Sequence, residues 1–271
     1  MMPPSGLRQM GLTTLFLLKN RITTYWGDFS YVEAEIETMR VALSSNATCD
    51  RFVVIQGSDY PIVSHSMILD YFKKNTQLNY INAFDVLKRG DGEITKYIFK
   101  WNLKSKSRLA NHLRKFKVAI GRKCPSIFKR KTPYIRISTG DELRIYGGWA
   151  HFSVVRSVAE YFVSFHDSHP EYNAYFRSVY AADESYFHTI FWNSPYASTN
   201  VVPYAFDHWE EKLLLNNTYM EYPSLVREWH DALEYSELCS TGKLFFRKVD
   251  SSRGCALLDE IDRMAGIDFS E

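Results

Sequence analysis

At 271 residues, with 45% hydrophobic and 15% aromatic side chains, the chain is long enough to bury a substantial core and too apolar to be intrinsically disordered. Its 33 Lys and Arg against 31 Asp and Glu give a net charge of +2, but the charges are unevenly placed. No acid occurs between Glu93 and Asp141, an interval that carries fourteen Lys and Arg from Lys96 to Arg136, so the remainder is acidic on balance.

The first 21 residues, MMPPSGLRQMGLTTLFLLKNR, hold a short apolar patch without a small-residue cleavage site, so they are not read as a signal peptide. No apolar run reaches the roughly 20 residues of a membrane span, and a cytoplasmic location is expected. SYVEAEIETMRVAL (30–43) places Val32, Ile36, Met39 and Leu43 on one helical face, with Ser30 as the expected N-cap. RFVVIQGSDYPIVS (51–64) reads as a buried strand over Phe52–Ile55, then a turn bracketed by Gly57 and Pro61. A helix over 64–75, capped by Ser64, and a strand over 79–84 follow.

The basic interval 96–136 is read as a helical insertion, because Leu109, Leu113, Phe116 and Ile120 recur at helical spacing among Lys and Arg. A solvated face, an anionic lipid surface and nucleic acid are three readings of such a block. No nucleic-acid-binding signature accompanies it, so nucleic acid is not expected as a partner, whereas peripheral contact with an anionic membrane is. Helices are expected over 153–167, 183–194, 224–237 and 254–264. The strand–helix alternation predicts an α/β fold with a largely parallel central sheet flanked by helices, in one domain spanning 1–271.

The four cysteines, Cys49, Cys124, Cys239 and Cys255, form no C-x-x-C pair and no zinc spacing, and are read as free buried thiols. His166 and His169 lack a third ligand at metal spacing and are read as a solvated helix-end pair. There is no P-loop, G-x-G-x-x-G, G-x-S-x-G or H-E-x-x-H. Asp-x-Asp, which holds a divalent ion in many sugar-nucleotide transferases, occurs nowhere. Any bound diphosphate therefore needs Arg, Lys or backbone N–H groups.

Four segments in order carry a resemblance: IQGSDYPIVS (55–64), IYGGWAHFSVVRSVAEYFV (145–163), YAADESYFHTIFWNS (180–194) and GKLFFRKVD (242–250). Together with TTYWGDFSYVEAEIETMRVAL (23–43) they resemble the core-2/I-branching β-1,6-N-acetylglucosaminyltransferases, the family that also includes the peptide O-xylosyltransferases, here in a bacterial-type form. The resemblance covers about residues 20–250. It implies a GT-A-like fold and an inverting transfer from a UDP-sugar to a glycan or lipid-linked acceptor, with no metal or other cofactor.

By the same resemblance Glu184 of AADE matches the general base, with Asp183 as its helix-starting partner; helix capping alone is the competing account of both acids. Lys248 of LFFRKVD matches the lysine that neutralises the diphosphate, and Arg227 is the candidate for its companion arginine. Arg247 is assigned to the opposite strand face. Gly57 and Asp59 are expected to shape the donor pocket, with Tyr60 packed behind the turn and an Asx-type turn as the rival role for Asp59. Trp149, Tyr219, Glu221 and Tyr222 are the acceptor candidates; buried packing is the alternative for the aromatics. Family members begin with a strand, a His- and Pro-rich turn and a second strand that cradle the uridine, whereas this chain reaches its Trp-Gly segment by Trp26. The nucleotide-binding portion is thus expected to be shortened. A non-catalytic glycan-binding or complex-forming subunit is the alternative function.

Overall fold

The structure is a computed structural model that describes residues 21–45, 49–88, 134–221 and 226–266, together with Leu18, Leu113, Phe116 and Ile120. Helix α1 (Ser30–Ser45) buries Val32, Ile36 and Met39 of the face its spacing predicts, while Leu43 at its far end is half-buried. Its entry differs from expectation. Asp28 Oδ1 accepts from Ser30 N at 3.0 Å, and Ser30 Oγ accepts from Tyr25 N at 3.0 Å. Ser30 therefore ties the preceding turn, and the carboxylate meets the helix start, where the dipole favours negative charge. Helix α2 (His65–Lys74) is capped by Ser64 Oγ, as its sequence predicts.

A largely parallel sheet is not what the described residues form. Strand β1 (Arg51–Val53) pairs antiparallel with β7 (Ser153–Val155), and β3 (Phe84–Asp85) pairs antiparallel with β6 (Tyr146–Gly147). Strands β4 (Tyr134–Arg136) and β5 (Glu142–Arg144) form a further antiparallel pair. Strand β2 (Asp59–Pro61) runs antiparallel to β9 (Phe245–Arg247), which pairs in parallel with β8 (Thr218–Met220); isolated parallel bridges also join Asn79 to Asn200 and Phe84 to Phe206. Tyr80 bridges antiparallel to Ser153. The segment 79–85 therefore runs parallel to β1, but with β7 reversed between them.

Buried asparagines explain why the ladders are so short. Asn200 Oδ1 accepts from Ile81 N (2.8 Å), Asn216 Oδ1 from Asn82 N (3.0 Å) and Asn79 Oδ1 from Val155 N (2.9 Å). Asn200 Nδ2 in turn donates to Asn82 Oδ1 at 2.9 Å. Backbone groups that a longer strand would pair are satisfied here by side-chain amides, each with both donors and an acceptor.

Helices α3 (Arg156–Ser168), α4 (Pro170–Phe176) and α5 (Tyr186–Trp192) pack against α1 and β7 around an aromatic core that includes Phe152, Phe162 and Phe187. The helix expected over 153–167 starts three residues late because Ser153–Val155 is strand. A polar seam locks these helices together. Tyr186 Oη donates to Asn173 Oδ1 (2.6 Å) and lies 3.0 Å from His166 Nδ1, while Tyr172 Oη donates to the Tyr186 carbonyl (2.7 Å). His166 is thus a packing residue, and His169 stacks on Phe165 with centroids 4.0 Å apart. Neither belongs to a bare helix-end pair.

The C-terminal part carries short helices α6 (Glu211–Leu214), α7 (Tyr235–Ser240) and α8 (Cys255–Met264). A second core joins Tyr60, Trp229, Phe246 and Leu257; Tyr60 Oη donates to the buried Asp262 at 2.7 Å. Cys239 and Cys255 are exposed and Cys49 is half-buried, all free thiols, so the expectation of buried thiols fails for the two on helix surfaces. Cys124 and Leu109 lie outside the described residues, as does most of the basic interval. Within it Leu113, Phe116 and Ile120 are helical, with Leu113 and Phe116 52% and 63% exposed. No helix among the described residues is long and apolar enough to cross a membrane.

If the asparagine lattice replaces strand pairing, Asn200→Ala strands the buried Ile81 amide and the Asn82 side chain. The expected cost is roughly 3 kcal/mol, because a buried polar group left unsatisfied costs about 1–3 kcal/mol. Urea denaturation measures it, and a loss under about 1 kcal/mol would show the lattice to be dispensable.

Candidate functional site

Two turns clasp each other at the entrance to the site. Gly27 has φ +73°, and an added Cβ would approach the Tyr180 ring to 3.2 Å. Ala181 has φ +53° and donates its N–H to the Gly27 carbonyl at 2.8 Å. A non-glycine residue in the left-handed region costs about 1–2 kcal/mol, so the surrounding contacts hold this turn. Trp26 and Tyr180 meet edge to face at 5.5 Å, with Trp26 63% exposed.

The left-handed Ala181 launches a single 3-10 turn, Ala182–Glu184, which precedes α5. The helix expected over 183–194 is thus split, with Asp183 and Glu184 in the tight turn. The Glu184 carbonyl accepts from Gly148 N at 2.8 Å, binding the acidic turn to the Gly147-Gly148-Trp149 segment. No larger residue fits at Gly148. A Cβ there would come within 2.5 Å of the Asn82 carbonyl and 2.7 Å of the His188 ring. Burial pushes His188 down to about 3, so it is a neutral core histidine.

Asp59 is the organiser of the opposite wall. Its side chain is 0% exposed. Oδ1 accepts from Arg247 Nη1 at 2.8 Å, and Oδ2 takes the Gln56 backbone N–H and lies 2.9 Å from His151 Nε2. Burial alone would raise this carboxyl. The His151 ring, the Gln56 amide and the Arg247 guanidinium outweigh burial and hold it below the ordinary carboxylate range. The turn expected between Gly57 and Pro61 is only Gly57–Ser58; Asp59 begins β2, directly opposite Arg247 in β9.

A cleft of about 420 Å³ lies between these walls, lined among others by Trp26, Trp149, His151, Tyr180, Glu184 and Arg247. A second, of about 740 Å³, runs between α1 and residues 51–58 and includes Gly57. Tyr31, Gln56 and Arg247 belong to both. Glu35 lines the second cleft, with Oε2 buried and without a hydrogen-bond donor among the described residues. Burial and the neighbouring Asp183 charge push it well above the usual carboxylate range.

Of the residues singled out in the sequence, Glu184, Asp183 and Trp149 share the first cleft. Lys248 does not line it. Its Nζ is 3.1 Å from Glu228 Oε1 and its side chain is 42% exposed. Arg227 lies over the Trp229 ring at 3.8 Å and bonds Glu221, Glu234 and Glu237; Glu221 is thereby engaged at 2.6 Å. Tyr219 packs against Trp229 with centroids 6.0 Å apart, although Met220 beside it reaches the cleft. Tyr222 lies outside the described residues. Sequence reasoning missed His151, Gln56 and Arg247. Only the cross-strand register of β2 and β9 identifies Arg247, and a sequence carries no direct record of register. Among the described residues no cluster of three His, Cys, Asp or Glu is arranged to hold a metal ion.

The Core-2/I-branching enzyme family matches residues 9–219, which include Glu184, Trp149, Gly57 and Asp59 but stop short of Arg227 and Lys248. The chain belongs to that family, a family of glycosyltransferases. No curated protein matches the chain.

Asp59→Asn should cost roughly 3 kcal/mol at pH 7, the lower end of the range for breaking a buried ion pair. Because the folded carboxyl sits below its unfolded value of about 3.9, its contribution is present above pH 4 and fades as the pH falls through the folded value. Melting curves of wild type and variant should therefore converge progressively as the pH falls below about 4. A constant offset across that window would contradict the assignment.

Proposed function

From membership of the Core-2/I-branching family and the composition of the first cleft, we propose that the protein is an inverting glycosyltransferase with a GT-A-like fold. It moves a sugar, N-acetylglucosamine by the family resemblance, from a UDP-sugar to a glycan or lipid-linked acceptor without a metal ion. The observation that carries this reading is that Glu184 and Arg247, a base and a cation, line one cleft walled by Trp26, Trp149 and Tyr180.

In this reading the acceptor hydroxyl attacks the anomeric carbon on the face opposite the diphosphate. Glu184 takes its proton, and UDP departs with the bonding pair of the broken C–O bond. General-base assistance of this kind contributes about 10²–10⁴-fold. Arg247 meets the negative charge that develops on the departing diphosphate. Its bond to Asp59 uses one N–H of five, so the fork stays available to an anion while being fixed in direction. Lys248 and Arg227 add positive charge nearby once their glutamate pairs open, which ranks them after Arg247. Trp149 offers the acceptor an apolar ring face.

The absence of Asp-x-Asp supports the metal-free reading, since side-chain cations must then do the neutralising. The exposed Leu113 and Phe116 within the basic interval suit contact with an anionic membrane, where a lipid-linked acceptor would be met from the cytoplasmic side.

Glu184→Gln should lower kcat by about 10²–10⁴-fold while UDP affinity changes little. Arg247→Ala should weaken UDP binding by more than tenfold, since a charge-assisted hydrogen bond contributes about 1.5–3 kcal/mol, and Lys248→Ala should weaken it less. Turnover assays and UDP titration check both; wild-type turnover in Glu184→Gln would refute the base. Transfer should also persist in EDTA, and loss of activity restored by Mn²⁺ would remove the metal-free assignment.

A further inference from the structure

We propose that His151 is a sugar-binding residue of the first cleft, its Nδ1 accepting a hydrogen bond from a hydroxyl of the transferred sugar. The inference rests on the glycosyl-transfer reading and deepens it by naming the group that selects the sugar.

The argument begins with the tautomer. His151 Nε2 lies 2.9 Å from Asp59 Oδ2. The Asp59 carboxylate is 0% exposed and engaged by Arg247 on its other oxygen, so it acts as an acceptor and Nε2 carries the proton. In the neutral ring Nδ1 is then a lone-pair acceptor, because each imidazole nitrogen takes the role the other leaves.

That acceptor has no partner among the described residues. His151 is 5% exposed, and its Nδ1 is buried without a hydrogen bond, a condition in which few buried polar atoms are found. The ring cannot easily turn away to find one. Asp59 holds it at Nε2, and Asn216 Nδ2 donates to the His151 carbonyl at 2.9 Å. The residue lines the same cleft as Glu184, two positions after Trp149. With no donor to Nδ1 among the described residues, the occupant of the cleft that His151 lines is the partner this inference assigns to it.

The chemistry of that partner follows. A lone pair takes a donor, and a fully ionised diphosphate has none to give. Arg247, which offers only donors, suits the diphosphate; His151 suits the hydroxyls. The two Asp59 partners thus divide the substrate between them, anion to one and sugar to the other. If His151 served only to hold Asp59, Nε2 would suffice and Nδ1 would be idle.

The test exploits side-chain length. Glutamine places its amide nitrogen near the position of Nε2, so His151→Gln keeps a donor to Asp59 and deletes the Nδ1 acceptor. UDP and UDP-N-acetylglucosamine are titrated calorimetrically into wild type and variant, and the ring nitrogens of wild-type His151 are followed by ¹⁵N NMR. UDP should bind both proteins equally, whereas UDP-N-acetylglucosamine should bind the variant roughly tenfold more weakly, the effect of about one hydrogen bond. The NMR should show an unprotonated Nδ1 that shifts with UDP-N-acetylglucosamine and not with UDP. Equal affinity of the sugar nucleotide for both proteins, a protonated Nδ1, or an Nδ1 indifferent to the sugar overturns the inference and leaves the transfer reading standing. If wild type binds neither ligand, the transfer reading itself falls and takes this inference with it. Should the variant fail to fold, the wild-type resonances decide alone.

Discussion

The site depends on one buried carboxylate. Asp59 is where the β1–β2 connection, strand β9 and the segment leading into β7 meet, and each sends it one donor. Removing a carboxylate from water is costly unless its lone pairs are filled, and here three separate stretches of chain must be in register for that to happen. The same requirement that stabilises the anion thus sets the positions of Arg247 and His151 relative to Glu184. Folding and site assembly are a single event at this point.

Polar satisfaction governs the rest of the centre in the same way. The asparagines at 79, 82, 200 and 216 hold segments that would be sheet neighbours in a longer ladder. Such a lattice accommodates the close approach of Gly148 to the Asn82 carbonyl without demanding continuous pairing. It costs nothing in buried valence because every asparagine amide can both donate and accept.

This explains what the sequence revealed and what it withheld. Helical spacing of Val32, Ile36 and Met39 reports a face directly, and the face is buried as expected. Glu184 and Trp149 were legible because local motifs mark them, and both reach the cleft. Arg247 was placed on the wrong side by an argument from alternation relative to Lys248. Alternation states only that the two point apart; the β2–β9 register decides which one faces Asp59. His151 carried no local signal, since its partner lies 92 positions earlier in the chain. The strand–helix alternation correctly announced an α/β chain, but strand direction depends on pairing between distant segments, which periodicity does not encode.

Tyr31, Gln56 and Arg247 are walls of both clefts, and this gives the clefts a shared physical boundary. An occupant of one that reorients the Arg247 fork alters the lining of the other, so the two binding free energies contain a common coupling term. That term is reciprocal by linkage: whatever factor the first occupant imposes on the second, the second imposes on the first. Order of addition then leaves the total unchanged, so the help or hindrance that one occupant lends the other is the same whichever enters first.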